Sequence, residues 1–181
     1  MGIFSQGLRI APPEAPATGY MFGKGIYFAD CSSKSANYMH ATKEQPYGML
    51  ILCEVALGAM YPLLRDEYMD KAPSGYHSTK GVGKTVPKQD EASVVDIDGY
   101  QLAVGPLVDN DAPDVAEKGQ LLYNEVCFKI YSMFNEIVVG TVSINGLLVV
   151  CSTQYIVYDT AQVRMKYVVL CRFDFGDDGG W

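Results

Sequence analysis

Tyrosine and serine side chains gather in one short part of the sequence. The stretch Gly19-Tyr-Met-Phe-Gly-Lys-Gly-Ile-Tyr-Phe-Ala-Asp30 is followed almost at once by Ser33-Lys-Ser-Ala-Asn-Tyr38. An aromatic ring can stack on a flat ligand, and hydroxyl groups can hold the polar edge of that ligand by hydrogen bonds. The spacing of Ser35 and Tyr38 puts both side chains on one helical turn. We therefore expect this segment to form a pocket for a flat aromatic ligand.

The pocket residues need a strand and a helix to position them. Residues 24–29 read as a buried strand, and Asp30, Ser32 or Ser33 can then cap a helix that runs to about residue 42. Residues 7–23 are rich in Gly, Pro and Ala, so they read as an ordered loop. The alternative for the tyrosines is that they are ordinary core aromatics, which is the usual state of a lone tyrosine.

The rest of the chain is mainly β in pattern. Residues 49–57 form an apolar run of strand length, and the alternation between 165 and 175 predicts a half-buried strand. Residues 62–118 lack a sustained period and predict long surface connections, with one short strand near 94–97. The order of one strand, one helix and then mostly strands predicts an α+β fold.

The bulk properties indicate one domain and exclude several classes of protein. The chain has 181 residues, of which 49% are apolar, enough to bury one core, so we expect a single domain over 1–181. A net charge of −7 disfavours nucleic acid as a direct partner of this segment. Five cysteines without a Cys-x-x-Cys pair, and only two histidines, predict neither a metal site nor a disulfide framework. No secretory leader or membrane span is visible, so we expect an intracellular, soluble chain.

Two further segments extend the pattern. Gly7-Leu-Arg-Ile-Ala-Pro-Pro-Glu-Ala-Pro16 and Leu121-Leu-Tyr-Asn-Glu125, together with the stretch 19–38, closely resemble the catalytic domain of the DNA-damage-responsive nuclear poly(ADP-ribose) polymerases. The resemblance covers residues 7–125 and resumes over 155–173. It implies the ADP-ribosyltransferase fold, in which NAD+ lies in a cleft between two small, mostly antiparallel sheets. It also implies a nuclear enzyme that releases nicotinamide and transfers ADP-ribose to proteins or to growing poly(ADP-ribose), with no metal.

The resemblance assigns roles to the residues of the pocket. Tyr38 stacks on nicotinamide, Ser35 bonds its carboxamide, and Tyr27 is the tyrosine of the family's His-Tyr-Glu triad. Lys34 is expected near the catalytic glutamate. A second group completes the expected NAD+ site: Arg9 beside the adenosine half, with Gly25 and Phe28.

Glu125 is the residue that we expect to carry the chemistry. Cleavage of the nicotinamide–ribose bond builds positive charge on the sugar, and a fixed carboxylate stabilises that charge. The alternative is a solvent-facing glutamate at a strand end. By resemblance, a glutamate at this position favours poly- over mono-ADP-ribosylation.

The sequence departs from the family at two places. A His-Gly pair that precedes Gln6-Gly7-Leu8-Arg9 in the family is absent, so the resemblance describes a chain truncated at its N-terminus. In addition, the 29 residues 126–154 separate Glu125 from Tyr155, whereas the family runs directly from Asn-Glu into Tyr-Ile-Val-Tyr. We expect the loss of each hydrogen-bonding anchor of this pair to weaken ligand binding by about 1 to 3 kcal/mol.

Three interpretations of 126–154 remain open. Val codons begin with GT and CAG encodes Gln, so the block starts and ends as an intron does, and a retained intron is our hypothesis. A genuine insertion, with Asn145-Gly146 as the turn of a hairpin, is the alternative. A transmembrane helix is disfavoured by Lys129 and Glu136.

The competing hypothesis for function is a catalytically inactive fragment or interaction module of the same family.

Overall fold

The computed structural model describes residues 2–15, 20–36, 38–88, 90, 93–97, 99–103, 105–111 and 154–174. The residues outside these ranges include Glu125, residues 126–153 and the tail from 175 onward. The helical elements are α1 (Gly2–Gln6), α2 (Ser32–Ala36) and a 3-10 helix (Thr160–Gln162). The strands are β1 (Ile26–Ala29), β2 (Tyr47–Val55), β3 (Met60–Leu63), β4 (Ser78–Gly81), β5 (Thr85–Pro87), β6 (Val94–Ile97), β7 (Tyr100–Ala103), β8 (Leu107–Asp109), β9 (Gln154–Val157) and β10 (Val163–Arg172).

A four-stranded sheet in the order β1-β9-β4-β3 is the centre of the described fold. Its pairs are antiparallel except for β3 with β4. Strands β10 and β2 form a second, antiparallel sheet, and β5 with β8 and β6 with β7 make two smaller antiparallel pairs. The α+β class expected from the sequence is confirmed.

The central sheet has two unlike faces. Residues directly opposite each other in a sheet share a face, and successive residues of a strand alternate between faces. Tyr27 and Thr79 lie opposite Ile156, while Ala29 and Gly81 lie opposite Gln154. We call the surface formed by these six residues the Tyr27 face. The opposite surface, formed by Ile26, Phe28, Lys80, Tyr155 and Val157, is the Phe28 face.

An apolar core covers the Phe28 face. Leu8, Ile26, Phe28 and Val157 form a buried cluster against which Cys53, Val55, Val163 and Met165 of the second sheet pack. The two sheets therefore lie against each other through this core. On the Tyr27 face a smaller cluster joins Phe22, Leu63 and Ile156. Burying each large apolar side chain contributes about 1.5 to 3 kcal/mol.

Two sequence expectations of local structure are corrected. The helix that begins at Ser32 ends at Ala36, well before residue 42. The amides of Tyr38 and Met39 reach back three residues, to the carbonyls of Ser35 and Ala36, and His40 has a left-handed φ of 48°. Tight turns of this kind and a left-handed residue end a helix.

The second correction concerns residues 62–118. The strand near 94–97 is present, but β3, β4, β5, β7 and β8 also lie wholly or partly in this region. These strands have three or four residues, and β4 buries the polar residues Ser78 and Thr79. Their hydroxyl groups are satisfied by the Leu57 carbonyl at 2.7 Å and the Tyr158 hydroxyl at 3.1 Å. An alternating hydropathy pattern cannot reveal strands that are this short and this polar.

Candidate active site

Tyr27 lies in β1, and its hydroxyl group fixes the loop that precedes the strand. The hydroxyl donates to the Gly23 carbonyl at 2.7 Å and accepts from the Phe22 amide at 3.0 Å. Burial raises the pKa of Tyr27 above its usual range, and the hydroxyls of Tyr158, Tyr20 and Tyr38 add to that effect. Tyr27 is thus a neutral, hydrogen-bonded tyrosine with other tyrosines close by.

Ser35 and Tyr38 share one turn, as their spacing predicts. The amide of Tyr38 donates to the Ser35 carbonyl at 3.2 Å, so the turn continues just beyond α2. Burial also raises the pKa of Tyr38. Tyr38 also lies close enough to Tyr27 to add slightly to the rise in the pKa of Tyr27, so Tyr27, Ser35 and Tyr38 share one neighbourhood.

Two polar side chains of α2 are sealed from solvent. Ser35 is 0% exposed and Lys34 is 2% exposed. A buried ammonium or hydroxyl group is retained only with polar partners, because an unpaired one is costly. A ligand that bonds Ser35 must therefore displace the groups that now cover its side chain.

The remaining NAD+-site candidates lie in different surroundings. Gly25 adjoins β9, where an added Cβ would overlap Ile156 and come within 2.8 Å of the Val157 carbonyl, so close strand packing alone requires a glycine there. Phe28 points into the core of the Phe28 face, so only its backbone can meet a ligand on the Tyr27 face. Arg9 is exposed, in the segment that follows α1.

Lys24 fixes the proline-rich loop near β1. Its ammonium group donates to the carbonyl oxygens of Pro12, Pro13 and Ala15 at 3.0, 2.5 and 2.7 Å. Three carbonyls around one ammonium group satisfy all of its donors. The loop that carries Arg9 is thereby tied to the strand that carries Tyr27, and sequence reasoning did not foresee this contact.

Asp30, directly after β1, is a half-buried residue with a carboxyl oxygen inaccessible to solvent, and sequence reasoning considered it only as a helix cap. Its Oδ2 accepts from the Tyr155 hydroxyl at 3.4 Å, and its Oδ1 has no hydrogen-bond partner among the described residues. Burial raises the pKa of Asp30 to about 6, although the charges of Lys34 and Lys80 act to lower it. Lys80 also lies 5.8 Å from the centroid of the Tyr155 ring.

Gln154 begins β9 on the same face as Tyr27. It lies between Ala29 of β1 and Gly81 of β4. Its side-chain oxygen Oε1 is inaccessible to solvent and has no partner in the described part of the chain. An orphaned amide oxygen in this position is costly for stability and calls for a functional or positional reason.

A cavity of about 260 Å³ lies elsewhere, lined by Gln6, Gly7, Leu8, Thr160, Val163 and Met165. Leu8, Val163 and Met165 belong to the core on the Phe28 face, so this cavity is not beside Tyr38. In the described ranges, no cluster of His, Cys, Asp and Glu could hold a metal ion. No helix within those ranges is long and apolar enough to span a bilayer.

Comparison with known proteins defines the class. Residues 1–136 match the family described as the poly(ADP-ribose) polymerase catalytic domain. The chain belongs to this family. The match ends inside the block 126–154.

Curated relatives agree with this assignment. The chain is 44% identical over 174 residues to poly [ADP-ribose] polymerase 1 of Gallus gallus and 46% identical over 175 residues to poly [ADP-ribose] polymerase 2 of Arabidopsis thaliana. Each alignment covers 96% of this chain, but only 14% and 22% of the respective relative. The chain therefore spans about a fifth or less of the length of these relatives.

Proposed function

We propose that this chain binds NAD+ and transfers its ADP-ribose group to protein side chains or to growing poly(ADP-ribose), with release of nicotinamide. The observation that supports the proposal is the proximity of Tyr27 on β1 to Ser35 and Tyr38 in and just after α2. Two aromatic rings and a hydroxyl group suit a flat ring that bears a carboxamide. The membership of the family supports the same ligand.

The proposed reaction needs little beyond position and charge. The bond from the ribose C1′ to the nicotinamide nitrogen breaks, and its electron pair leaves with nicotinamide, which departs neutral. The acceptor oxygen bonds to C1′ and loses its proton to a carboxylate or to solvent. A carboxylate also stabilises the cationic sugar as the bond breaks. We propose Glu125 for this role, with Lys34 beside it, and Arg9 toward the adenosine half.

The wider setting is proposed on the same basis. We propose that the protein acts in the nucleus in the response to DNA damage, and that this segment makes no direct contact with nucleic acid, as its net charge of −7 suggests. We also propose a single domain over 1–181 in which the atypical block 126–154 is a retained intron. Sequencing the transcript across the block tests this: uniformly unspliced message would contradict the intron hypothesis.

Ligand binding is the direct test of the pocket. Benzamide mimics nicotinamide, and a saturating ligand at about 100 times its Kd stabilises a protein by about 2.7 kcal/mol, which thermal unfolding detects. We expect benzamide and NAD+ to raise the Tm of the chain. Tyr38→Ala should weaken binding about ten- to a hundredfold, because a stacking ring is lost.

Tyr47→Ala is the matched control, since Tyr47 lies on β2 and is 62% exposed. Its binding should equal that of the parent chain. Absence of stabilisation by both ligands would refute the pocket, and equal losses in the two variants would show that Tyr38 has no special part in it.

A second candidate function is binding without turnover. The start of β9 places the neutral side chain of Gln154 on the Tyr27 face, and its oxygen has no partner among the described residues. A site with an amide there can hold a ligand but offers no negative charge to a cationic sugar. Measuring nicotinamide release alongside ligand binding separates the two functions.

A further inference from the structure

Asp30 stands where β1 turns into α2. It directly follows β1, and α2 begins two residues later at Ser32. Its Oδ2 accepts from the Tyr155 hydroxyl at 3.4 Å, and its Oδ1 is inaccessible to solvent and has no partner among the described residues. An unsatisfied oxygen in such a place costs free energy. Stability alone therefore does not explain a carboxyl group at this corner.

The side chains around Asp30 come from three different elements. Tyr155 belongs to β9, and the ammonium group of Lys80, on β4, lies 5.8 Å from the centroid of the Tyr155 ring. Lys34 belongs to α2 and is 2% exposed. Burial raises the pKa of Asp30, whereas the charges of Lys34 and Lys80 and the hydrogen bond from Tyr155 lower it. Asp30 thus connects two strands of the central sheet to the helix of the proposed ligand site.

Lys34 benefits most from a negative charge at this corner. A buried ammonium group is stable only beside an opposite charge or hydrogen-bonding partners, because it has lost its water. Ionised Asp30 offsets the charges of Lys34 and Lys80, and protonated Asp30 does not. Ser35 follows Lys34 directly, and the Tyr38 amide bonds the Ser35 carbonyl. A change at Lys34 is therefore passed on to the turn that carries Ser35 and Tyr38.

We propose that Asp30 is a positioning residue: its carboxylate, fixed by Tyr155, holds Lys34 and thereby keeps α2 in the arrangement that binds the nicotinamide ring. The inference rests on the proposed function, because it concerns the same ligand site. Protonation of Asp30 removes the pairing with Lys34 and weakens binding. The affinity for the ring therefore rises with pH as Asp30 ionises.

The stability of the unliganded chain should respond to pH in the opposite direction. Burial raises the pKa of Asp30 to about 6, so the folded chain is stabilised by protonation of this group, and its stability falls as pH rises through this range. A group that served stability alone would not make binding stronger where the fold becomes weaker.

The pH profile of benzamide binding tests the proposal on the whole chain. Benzamide stays neutral between pH 5 and pH 8, so a change in its Kd reports on the protein. With a pKa of about 6 for Asp30, about a tenth of the molecules carry the carboxylate at pH 5. The Kd of benzamide should therefore be about tenfold higher at pH 5 than at pH 8.

Asp30→Asn keeps the size of the side chain but cannot ionise. At pH 8 its Kd for benzamide should be about tenfold higher than that of the parent, with no change down to pH 5. The same variant should be more stable than the parent at pH 8, since it buries no charge. A variant that folds more stably and binds less tightly is the expected signature of a positioning role.

Tyr155→Phe is the second variant. It removes a hydrogen bond that lowers the pKa of Asp30, so the midpoint of the binding profile should move to higher pH. This variant decides the test if Asp30→Asn does not fold, and a midpoint that stays or moves to lower pH would then overturn the proposal.

Two controls exclude other titrating or charged groups. His40 also titrates in this range and lies two residues after Tyr38. It is exposed and has a left-handed φ of 48°, which asparagine tolerates, so His40→Asn is a suitable substitution. Asp66→Asn removes the same charge as Asp30→Asn at an exposed residue. Both controls should keep the Kd and the pH profile of the parent.

The proposal and the proposed function fail in different ways. If benzamide binds no version at either pH, the proposed function fails and the proposal with it. If benzamide binds the parent equally at pH 5 and pH 8, or binds Asp30→Asn as tightly as the parent at pH 8, the positioning role alone is overturned. It is also overturned if His40→Asn flattens the profile, or if Asp30→Asn folds but is less stable than the parent at pH 8.

Discussion

The two faces of the central sheet differ in their buried contacts: one is packed by apolar side chains, and the other also contains hydrogen-bonded polar groups. The Phe28 face packs Ile26, Phe28 and Val157 against Leu8 and the second sheet, with apolar atoms throughout its buried cluster. The Tyr27 face combines a small apolar cluster with hydrogen-bonded hydroxyl and backbone groups and with the Gln154 side-chain oxygen, which has no partner among the described residues. Burial of apolar area stabilises the fold, whereas a buried polar group contributes only about 1 kcal/mol when it is hydrogen-bonded and costs free energy when it is not. One face stabilises the fold through apolar packing, and the other carries the polar groups of the proposed ligand site.

The largest expected effect comes from the packed face. Phe28→Ala should lower the free energy of unfolding by about 3 to 5 kcal/mol, because it removes a buried ring and leaves a cavity. Urea unfolding measures this. Phe28→Leu should lower the free energy of unfolding by clearly less than Phe28→Ala. If the alanine variant does not fold, the leucine variant can be compared with the control instead.

Phe4→Ala is the control for a phenylalanine that does not pack, since Phe4 is 57% exposed. We expect a change within about 0.5 kcal/mol. If Phe28→Ala were as mild as Phe4→Ala, the Phe28 face would not be the stabilising one.

A smaller effect should come from Asp30, whose raised pKa makes the free energy of unfolding depend on pH. Its pKa is about 6 in the folded chain against an ordinary value of 3.8 for an aspartate, so the folded state binds more protons than the unfolded state between about pH 4 and 6. The free energy of unfolding therefore falls as pH rises through this window. Asp30→Asn cannot ionise, so it should be more stable than the parent at pH 8, by at most about 3 kcal/mol.

The advantage of Asp30→Asn should vanish near pH 4, where the parent carboxyl group is also protonated. Unfolding in urea at pH 4 and pH 8 supplies the two values. Asp66→Asn, at an exposed residue, should show no comparable difference between the two pH values. A parent chain whose stability rises from pH 4 to 6 relative to Asp30→Asn would contradict the buried state of Asp30.

The sequence predicts elements that depend on neighbouring, mostly apolar residues, and it does not reveal polar strands or pairing between distant strands. Strand β1 and the turn that joins Ser35 to Tyr38 follow from adjacent residues, and both are present. The β4 strand escaped because its buried residues are Ser78 and Thr79, which carry no hydropathy signal. The partnership of Gln154 with Ala29 and Gly81 escaped because it joins residues more than 70 positions apart. Register between distant strands depends on three-dimensional packing, which local patterns do not contain.

The smallest effect concerns the hydroxyl groups that support the Tyr27 face. Tyr158 donates to the Phe22 carbonyl at 2.7 Å and lies 3.1 Å from the Thr79 hydroxyl. Tyr158→Phe should lower the free energy of unfolding by about 1 kcal/mol, as expected for one hydrogen-bonding group in a partly buried site. Tyr76→Phe, at an exposed tyrosine, should have no measurable effect.

A double-mutant cycle with Thr79→Val shows whether these hydroxyls act together. If they do, the double variant should be less destabilised than the sum of the two single variants, because the second substitution removes a partner that is already gone. We further expect Tyr158→Phe to weaken benzamide binding, since the Phe22 backbone that Tyr158 holds also bonds the Tyr27 hydroxyl. Additive losses with unchanged binding would mean that the Tyr27 face, like the Phe28 face, serves stability alone.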